Sequence, residues 1–194
     1  HGLLRRQRQM CIRDRTIHVA GTNGKGSVTS FLRFIYENSR LNVQCYTSPH
    51  IIKFNERIRI NSKLISNDYL NILLEECEFY NNGEEITFFE ITTAAAFLAF
   101  SRVNSDLLIL ETGLGGRYDA TNIIEKKICS VITPISMDHM NFLGSKISLI
   151  AREKLGIVKN SERVVISKQK SYVKYLTRNY LKNIKTTSYE EGKD

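Results

Sequence analysis

The chain has 194 residues, 42% hydrophobic and 25% charged, which is ordinary globular composition and enough length for one domain with a sizeable core. No apolar run approaches the roughly 20 residues needed to cross a bilayer, and no apolar segment comes after the arginine cluster at the N-terminus, so a soluble, non-secreted, cytoplasmic protein is expected. The formal charge of +8 invites a nucleic-acid reading, but residues 1–15 carry Arg5, Arg6, Arg8, Arg13 and Arg15 against Asp14 alone and so supply half of it.

That tail shows no helical or strand periodicity continuous with the segment that begins at Thr16. It reads either as a basic arm for an acidic partner or, the expectation adopted, as a segment foreign to the native domain or disordered, leaving residues 16–194 as the folding unit. Nucleic acid is therefore not expected as a partner. Cys11, Cys45, Cys77 and Cys129 are far apart, with no CxxC pair and no His at metal-ligand spacing, which argues against a zinc site or a disulfide framework.

From Thr16 onward, short apolar runs alternate with helical stretches. TIHVA (16–20) is a strand ending in glycine. Residues 28–39 form a helix with Val28, Phe31, Leu32, Ile35 and Tyr36 on one face. VQCYT (43–47) is the next strand, RIRI (57–60) an edge segment, and 68–80 an amphipathic helix with Ser66, Asn67 and Asp68 as capping candidates. Residues 88–103 make an alanine-rich helix buried on most sides. DLLILET (106–112) and ICSVIT (128–133) are continuous apolar runs of the kind central parallel strands carry. A helix at 148–159, a strand at 163–167 and a helix at 172–183 continue the alternation, and TTSYEEGKD closes the chain as a polar end. The expected fold class is α/β, a mostly parallel sheet flanked by helices. Its ligands belong outside the carboxyl ends of the strands, where every unusual motif of this sequence falls.

Gly21-Thr22-Asn23-Gly24-Lys25-Gly26-Ser27 comes after a strand and opens a helix, the context of a phosphate loop. Its glycines let backbone N–H groups turn toward phosphate oxygens, and the helix N-terminus favours an anion. Lys25 would neutralise the β- and γ-phosphates and Ser27 would ligate magnesium. The spacing departs from GxxxxGK[ST], because Gly26 separates the lysine from the hydroxyl. Glu111 ends a buried strand, where a carboxylate is costly unless it meets a cation or caps nearby amides. His139 also comes after a strand, and read alone is as compatible with a hydrogen-bonded structural role as with a ligand. Lys154, between Glu153 and Leu155 in a charge run, reads by itself as solvated.

The loop GTNGKGS resembles that of the Mur ligase superfamily, in the folylpolyglutamate synthase branch. Further strings agree in order and spacing from Thr16 to about Lys159: TSPH at 47–50, FNERI at 54–58, FFE at 88–90 leading into TAAAF at 93–97, LETGLGGR at 110–117 with DATN at 119–122, Asp138-His139 with Leu143-Gly144, and EKLGI at 153–157. The resemblance implies a P-loop NTPase-like central domain and an ATP-dependent ligase that joins L-glutamate to dihydropteroate or a folate through an acyl phosphate. It implies two magnesium sites drawing on Ser27, Ser48, Glu111, His139 and a carbamylated Lys154. It also implies folate-side contacts from Phe54, Arg57, Asp119 and Asn122, and a monomer completed by a C-terminal domain, without which no turnover is expected. Leu155 stands where the family usually carries alanine. A peptidoglycan-type Mur ligase, or a phosphotransfer module without ligase activity, remains the alternative.

Overall fold

The computed structural model describes residues 15–160 and 162–192; the basic tail up to residue 14, with Cys11, lies outside the described residues. In chain order the elements are β1 (Thr16–Ala20), α1 (Lys25–Asn38), β2 (Val43–Tyr46), β3 (Ile58–Ile60), β4 (Lys63–Leu64), α2 (Asn67–Asn81), α3 (Phe88–Arg102), β5 (Leu107–Glu111), β6 (Cys129–Ile132), α4 (Met140–Leu143), α5 (Ile147–Leu155), β7 (Arg163–Ile166), α6 (Ser171–Leu181) and β8 (Thr187–Glu190). Short 3-10 turns cover Phe54–Arg57 and Ala120–Ile123.

The strands form one sheet of order β4-β3-β2-β5-β1-β6-β7-β8. Six of them run parallel, and β3 and β4 are added antiparallel at one edge. Strands β1, β2 and β5 are buried along their whole length, the burial that continuous apolar runs predict for central parallel strands. On one face Ile17, Val19, Val43, Cys45, Leu107 and Ile109 meet Val28, Leu32 and Tyr36 of α1. On the other, Tyr46, Leu108 and Leu110 pack under α2 and α3, and Ala20, Ile132, Val164 and Ile166 pack under α5 and α6. The expected α/β class, mostly parallel and flanked by helices, is the observed one.

Several boundaries differ from expectation for local reasons. Helix α1 begins at Lys25, directly after Gly24 in a left-handed conformation, and its core-facing stripe is the partly buried Val28, Leu32 and Tyr36; Phe31 and Ile35 face outward. Arg57 belongs to a 3-10 turn and leaves β3 to start at Ile58. Helix α5 stops at Leu155, with Gly156 as its cap residue. Leu155 is fully buried in the α5–α6 cluster, so the larger side chain is accommodated. The polar end contains β8, a mostly exposed edge strand held by parallel pairing to β7, and such a strand needs little apolar character. The alanine-rich α3 is buried as expected, and begins with a capping box of Thr87 and Glu90.

Candidate functional site

The carboxyl ends of β1, β2, β5 and β6 converge on one cavity of about 970 Å³, lined among others by Thr22, Lys25, Ser48, Arg57, Gly113, Asp119 and His139. The loop after β1 is fixed from the loop after β6. The amides of Thr22 and Asn23 donate to the Pro134 carbonyl (2.9 and 3.3 Å), and Thr22 Oγ1 both donates to Ser136 O (3.1 Å) and accepts from Ser136 N (3.0 Å). Gly21 has φ 152°, and a Cβ there would stand 1.9 Å from Thr133 Oγ1, so both conformation and space demand glycine. The amide of Asn23 is thus turned to Pro134. The donors left at this end are those of the first turn of α1: Val28 N closes the first helical bond on Gly24 O, so the amides of Lys25, Gly26 and Ser27 precede any intrahelical partner. Among the described residues no side chain caps this helix by a hydrogen bond, and no acid stands in its first turn, so its positive end is open to an anion.

Lys25 folds back over the loop, Nζ donating to Gly21 O at 3.1 Å. Lys154 donates to the same oxygen at 3.0 Å. Lys154 is not the solvated residue its charged neighbours alone suggest: it sits in the last turn of α5 with 2% of its surface exposed. Burial, then the nearby Lys25 charge, hold its ammonium down at about 8. Its apolar neighbours Ile150 and Ala151 carry α5 into the core and pull the lysine in with them.

Glu111 ends β5 beneath the start of α1, its carboxylate within 3.8 Å of where a Cβ on Gly26 would lie. Burial raises its pKa to about 7, against the opposing pull of the Lys25 charge and of the Ser48 amide, which donates to Oε2 at 3.4 Å. Ser27 is exposed on the first turn of α1. His139 lies after β6 as expected, but as the left-handed (φ 49°) cap of the short helix α4, exposed and with Nε2 3.5 Å from Asp138 Oδ2. No group of three or more His, Cys, Asp or Glu gathers among the described residues.

The segment after β2 is organised by Glu56, a residue that sequence reasoning left without a role. Its carboxylate accepts the amides of Ile51, Ile52 and Lys53 at 2.8 to 3.1 Å. Arg57 donates from Nε to His50 Nδ1 (3.0 Å) and stacks 5.2 Å from the Phe54 ring centroid. Arg57 lines the cavity; Phe54 stands behind it against Phe88, ring centroids 5.6 Å apart.

Opposite lies the glycine-rich stretch after β5. Gly116 packs so tightly on the end of α5 that a Cβ would come within 2.7 Å of Glu153 O. Asn122 is buried and ties Arg117 O (3.0 Å) to Gly156 O (3.2 Å); it supports the cavity-lining Arg117 without lining the cavity itself. Asp119 reaches the cavity, but its carboxylate is occupied within its own loop: Oδ2 accepts the amides of Gly113 and Leu114, and Oδ1 accepts the amide and hydroxyl of Thr121. Of the sequence-derived candidates, the loop, Lys25, Glu111, Ser48 and Lys154 are brought together most closely, His139, Arg57 and Asp119 share the cavity wall, and Asn122 and Phe54 support it.

Residues 19–194 match the family described as the Mur ligase middle domain. The dihydrofolate synthase/folylpolyglutamate synthase of Bacillus subtilis (strain 168) is 46% identical over 158 residues, 78% of this chain and 36% of that protein. The structure of E. coli FolC in complex with DHPP and ADP superimposes with a TM-score of 0.87 at 29% identity, covering 98% of this chain and 45% of that one. A bifunctional folylpolyglutamate synthase/dihydrofolate synthase with Mn, AMPPNP and L-glutamate bound gives a TM-score of 0.83 at 30% identity, covering 96% and 46%. The chain thus spans about a third of the curated relative and somewhat under half of the solved ones.

Proposed function

Because the chain belongs to the Mur ligase middle-domain family, we propose that it forms the nucleotide-binding part of an ATP-dependent ligase that joins L-glutamate to the carboxylate of dihydropteroate or a folate. The observation that carries the reading is the meeting of Lys25, Lys154 and Glu111 around one phosphate-loop turn, with an uncapped helix end facing the same cavity.

In this reading the free amides of Lys25 to Ser27 take the phosphate oxygens, and Lys25 leaves Gly21 O to neutralise the charge that builds between the β- and γ-phosphates. The donor set fits a magnesium ion: Glu111 is a buried carboxylate whose charge Lys25 alone does not offset, and Mg²⁺ typically takes one or two carboxylates together with phosphate oxygens. Ser27 and Glu111 would hold it, with Ser48 beside them; bound there, it would withdraw charge from the transferring phosphoryl group. A second ion is assigned to His139 and Lys154. A lysine whose pKa lies near 8 offers a neutral amine, which can add to carbon dioxide with loss of a proton and so present oxygens in place of an ammonium. An acceptor carboxylate oxygen attacks the γ-phosphorus and ADP departs; the resulting acyl phosphate is attacked by the amine of glutamate, which loses a proton as phosphate leaves. The protein supplies positioning and electrostatics, and no side chain serves as nucleophile. Arg57 and the turn after β5 bound the space for the pteridine-bearing acceptor.

The test is ADP release by the complete protein, with dihydropteroate, tetrahydrofolate or a muramoyl peptide as acceptor and with or without glutamate. Release that requires a pteroate-type acceptor and glutamate supports the proposal. Release with the muramoyl peptide alone, or without dependence on glutamate, refutes it.

A further inference from the structure

Beneath the turn after β5 runs a chain of buried polar groups that leads into the sheet. His18 lies in the middle of β1, fully buried, with Nε2 2.8 Å from Thr121 Oγ1. Thr121 Oγ1 in turn donates its hydrogen to Asp119 Oδ1 at 2.5 Å. A hydroxyl has one hydrogen, so Thr121 can only accept from His18, and His18 must carry its proton on Nε2. Burial and the charges of Lys127 and Lys159 drive its pKa well below 6.5, so the ring is neutral. Its Nδ1 is then a bare acceptor, with no partner among the described residues.

Asp119, at the other end of this chain, accepts four hydrogen bonds: from Gly113 N and Leu114 N at 2.9 Å each, from Thr121 N at 3.0 Å and from the Thr121 hydroxyl. These bonds engage both carboxylate oxygens and tie Asp119 to the turn it stands in. Gly113 and Leu114 are themselves cavity wall, and the Phe89 ring covers Gly113 so closely that a Cβ would fall 2.4 Å from its Cζ.

We infer that His18, Thr121 and Asp119 act as one positioning unit, in which the imidazole in the middle of β1 holds the Thr121 hydroxyl on Asp119 and, through that carboxylate, fixes the Gly113–Leu114 wall of the cleft. The inference rests on the proposed reading of this cleft as the place of a pteridine-bearing acceptor. Its hydrogen-bond content can nonetheless be measured without any ligand.

The experiment uses the full chain and the variants Thr121→Val, which removes the hydroxyl at constant shape, and Thr121→Ser, which keeps it. In the wild type, long-range proton–nitrogen spectra show His18 as the Nε2–H tautomer. In Thr121→Val, the amides of Gly113 and Leu114 exchange with solvent about ten- to a hundredfold faster, the loss of one buried charge-assisted bond. Thr121→Ser restores slow exchange. Dihydropteroate, used as the probe, binds about tenfold more weakly to Thr121→Val and normally to Thr121→Ser. An Nδ1–H tautomer, or unchanged exchange at both amides in Thr121→Val, overturns the inference whatever the probe does. If Thr121→Val does not fold, the tautomer together with Thr121→Ser decides. Faster exchange in a protein that binds no dihydropteroate upholds the positioning unit and removes the reading of the cleft instead.

Discussion

Replacing Glu111 with Gln tests whether this carboxylate is kept for a cation at the expense of the fold. Its pKa rises from 4.5 to about 7 on folding because burial outweighs Lys25 and the Ser48 amide. At roughly 1.4 kcal/mol per pH unit, that difference is a penalty of about 3 kcal/mol on the folded, ligand-free chain. At low pH, below 4.5, both states bind the proton and there is no penalty. As pH rises toward 7 the unfolded state loses the proton first, so stability falls; above that range the penalty is complete. Gln keeps the shape and carries no charge. Urea denaturation is therefore expected to find Glu111→Gln more stable than wild type by about 1 to 3 kcal/mol near pH 8, and equal to it near pH 4. The same variant should lose the extra stabilisation that Mg²⁺ gives to a bound ATP analogue. A variant no more stable than wild type near pH 8, or with the same difference at both pH values, would rule out a buried, uncompensated carboxylate at this position.

Lys154→Met carries the opposite pH signature. The lysine's folded pKa of about 8 lies below its ordinary 10.5, so its cost is complete below 8 and disappears as pH rises through 10.5; the variant should be more stable by about 1 to 3 kcal/mol near neutral pH, an advantage lost in strongly alkaline urea titrations. Gly116→Ala pushes a methyl to within 2.7 Å of Glu153 O and 3.0 Å of Ile157 Cγ2, so denaturation should show a loss of about 1 to 3 kcal/mol together with weaker nucleotide binding, as the end of α5 shifts. Thr87→Ala removes the hydroxyl that caps α3 and should cost about 1 kcal/mol without changing nucleotide affinity measured by titration calorimetry.

How much of the fold the sequence disclosed depends on the force that forms each element. TIHVA and the Leu107–Glu111 strand are buried throughout and the alanine-rich helix along its core face, and burial leaves an apolar signature that survives without coordinates. Strand β8 is mostly exposed and its TSYE carries no such pattern; what makes it a strand is backbone pairing with β7, invisible in residue type. The candidate loop was legible because its glycines and lysine are adjacent in sequence. Lys154 misled when read alone, since Arg152 beside it is exposed and Glu153 only half-buried while its own side chain turns inward to Gly21 O. Nothing in the loop signals that the Asn23 amide would turn to Pro134, more than a hundred residues away. The link from His18 to Thr121 spans 103 residues and joins a strand to a turn, a pairing that only the sheet topology creates.

The proposed function stands or falls on whether the turn between β1 and α1 holds the phosphates of ATP over a metal shared with Glu111. A crystal structure of this chain with a non-hydrolysable ATP analogue and Mn²⁺, recorded at the manganese edge, decides the matter. The expected result is phosphate oxygens on the amides of Lys25, Gly26 and Ser27, Lys25 Nζ released from Gly21 O, and an anomalous peak between Ser27 Oγ and the Glu111 carboxylate. Nucleotide bound elsewhere, or a loop without phosphate and Lys25 still on Gly21 O, would contradict it.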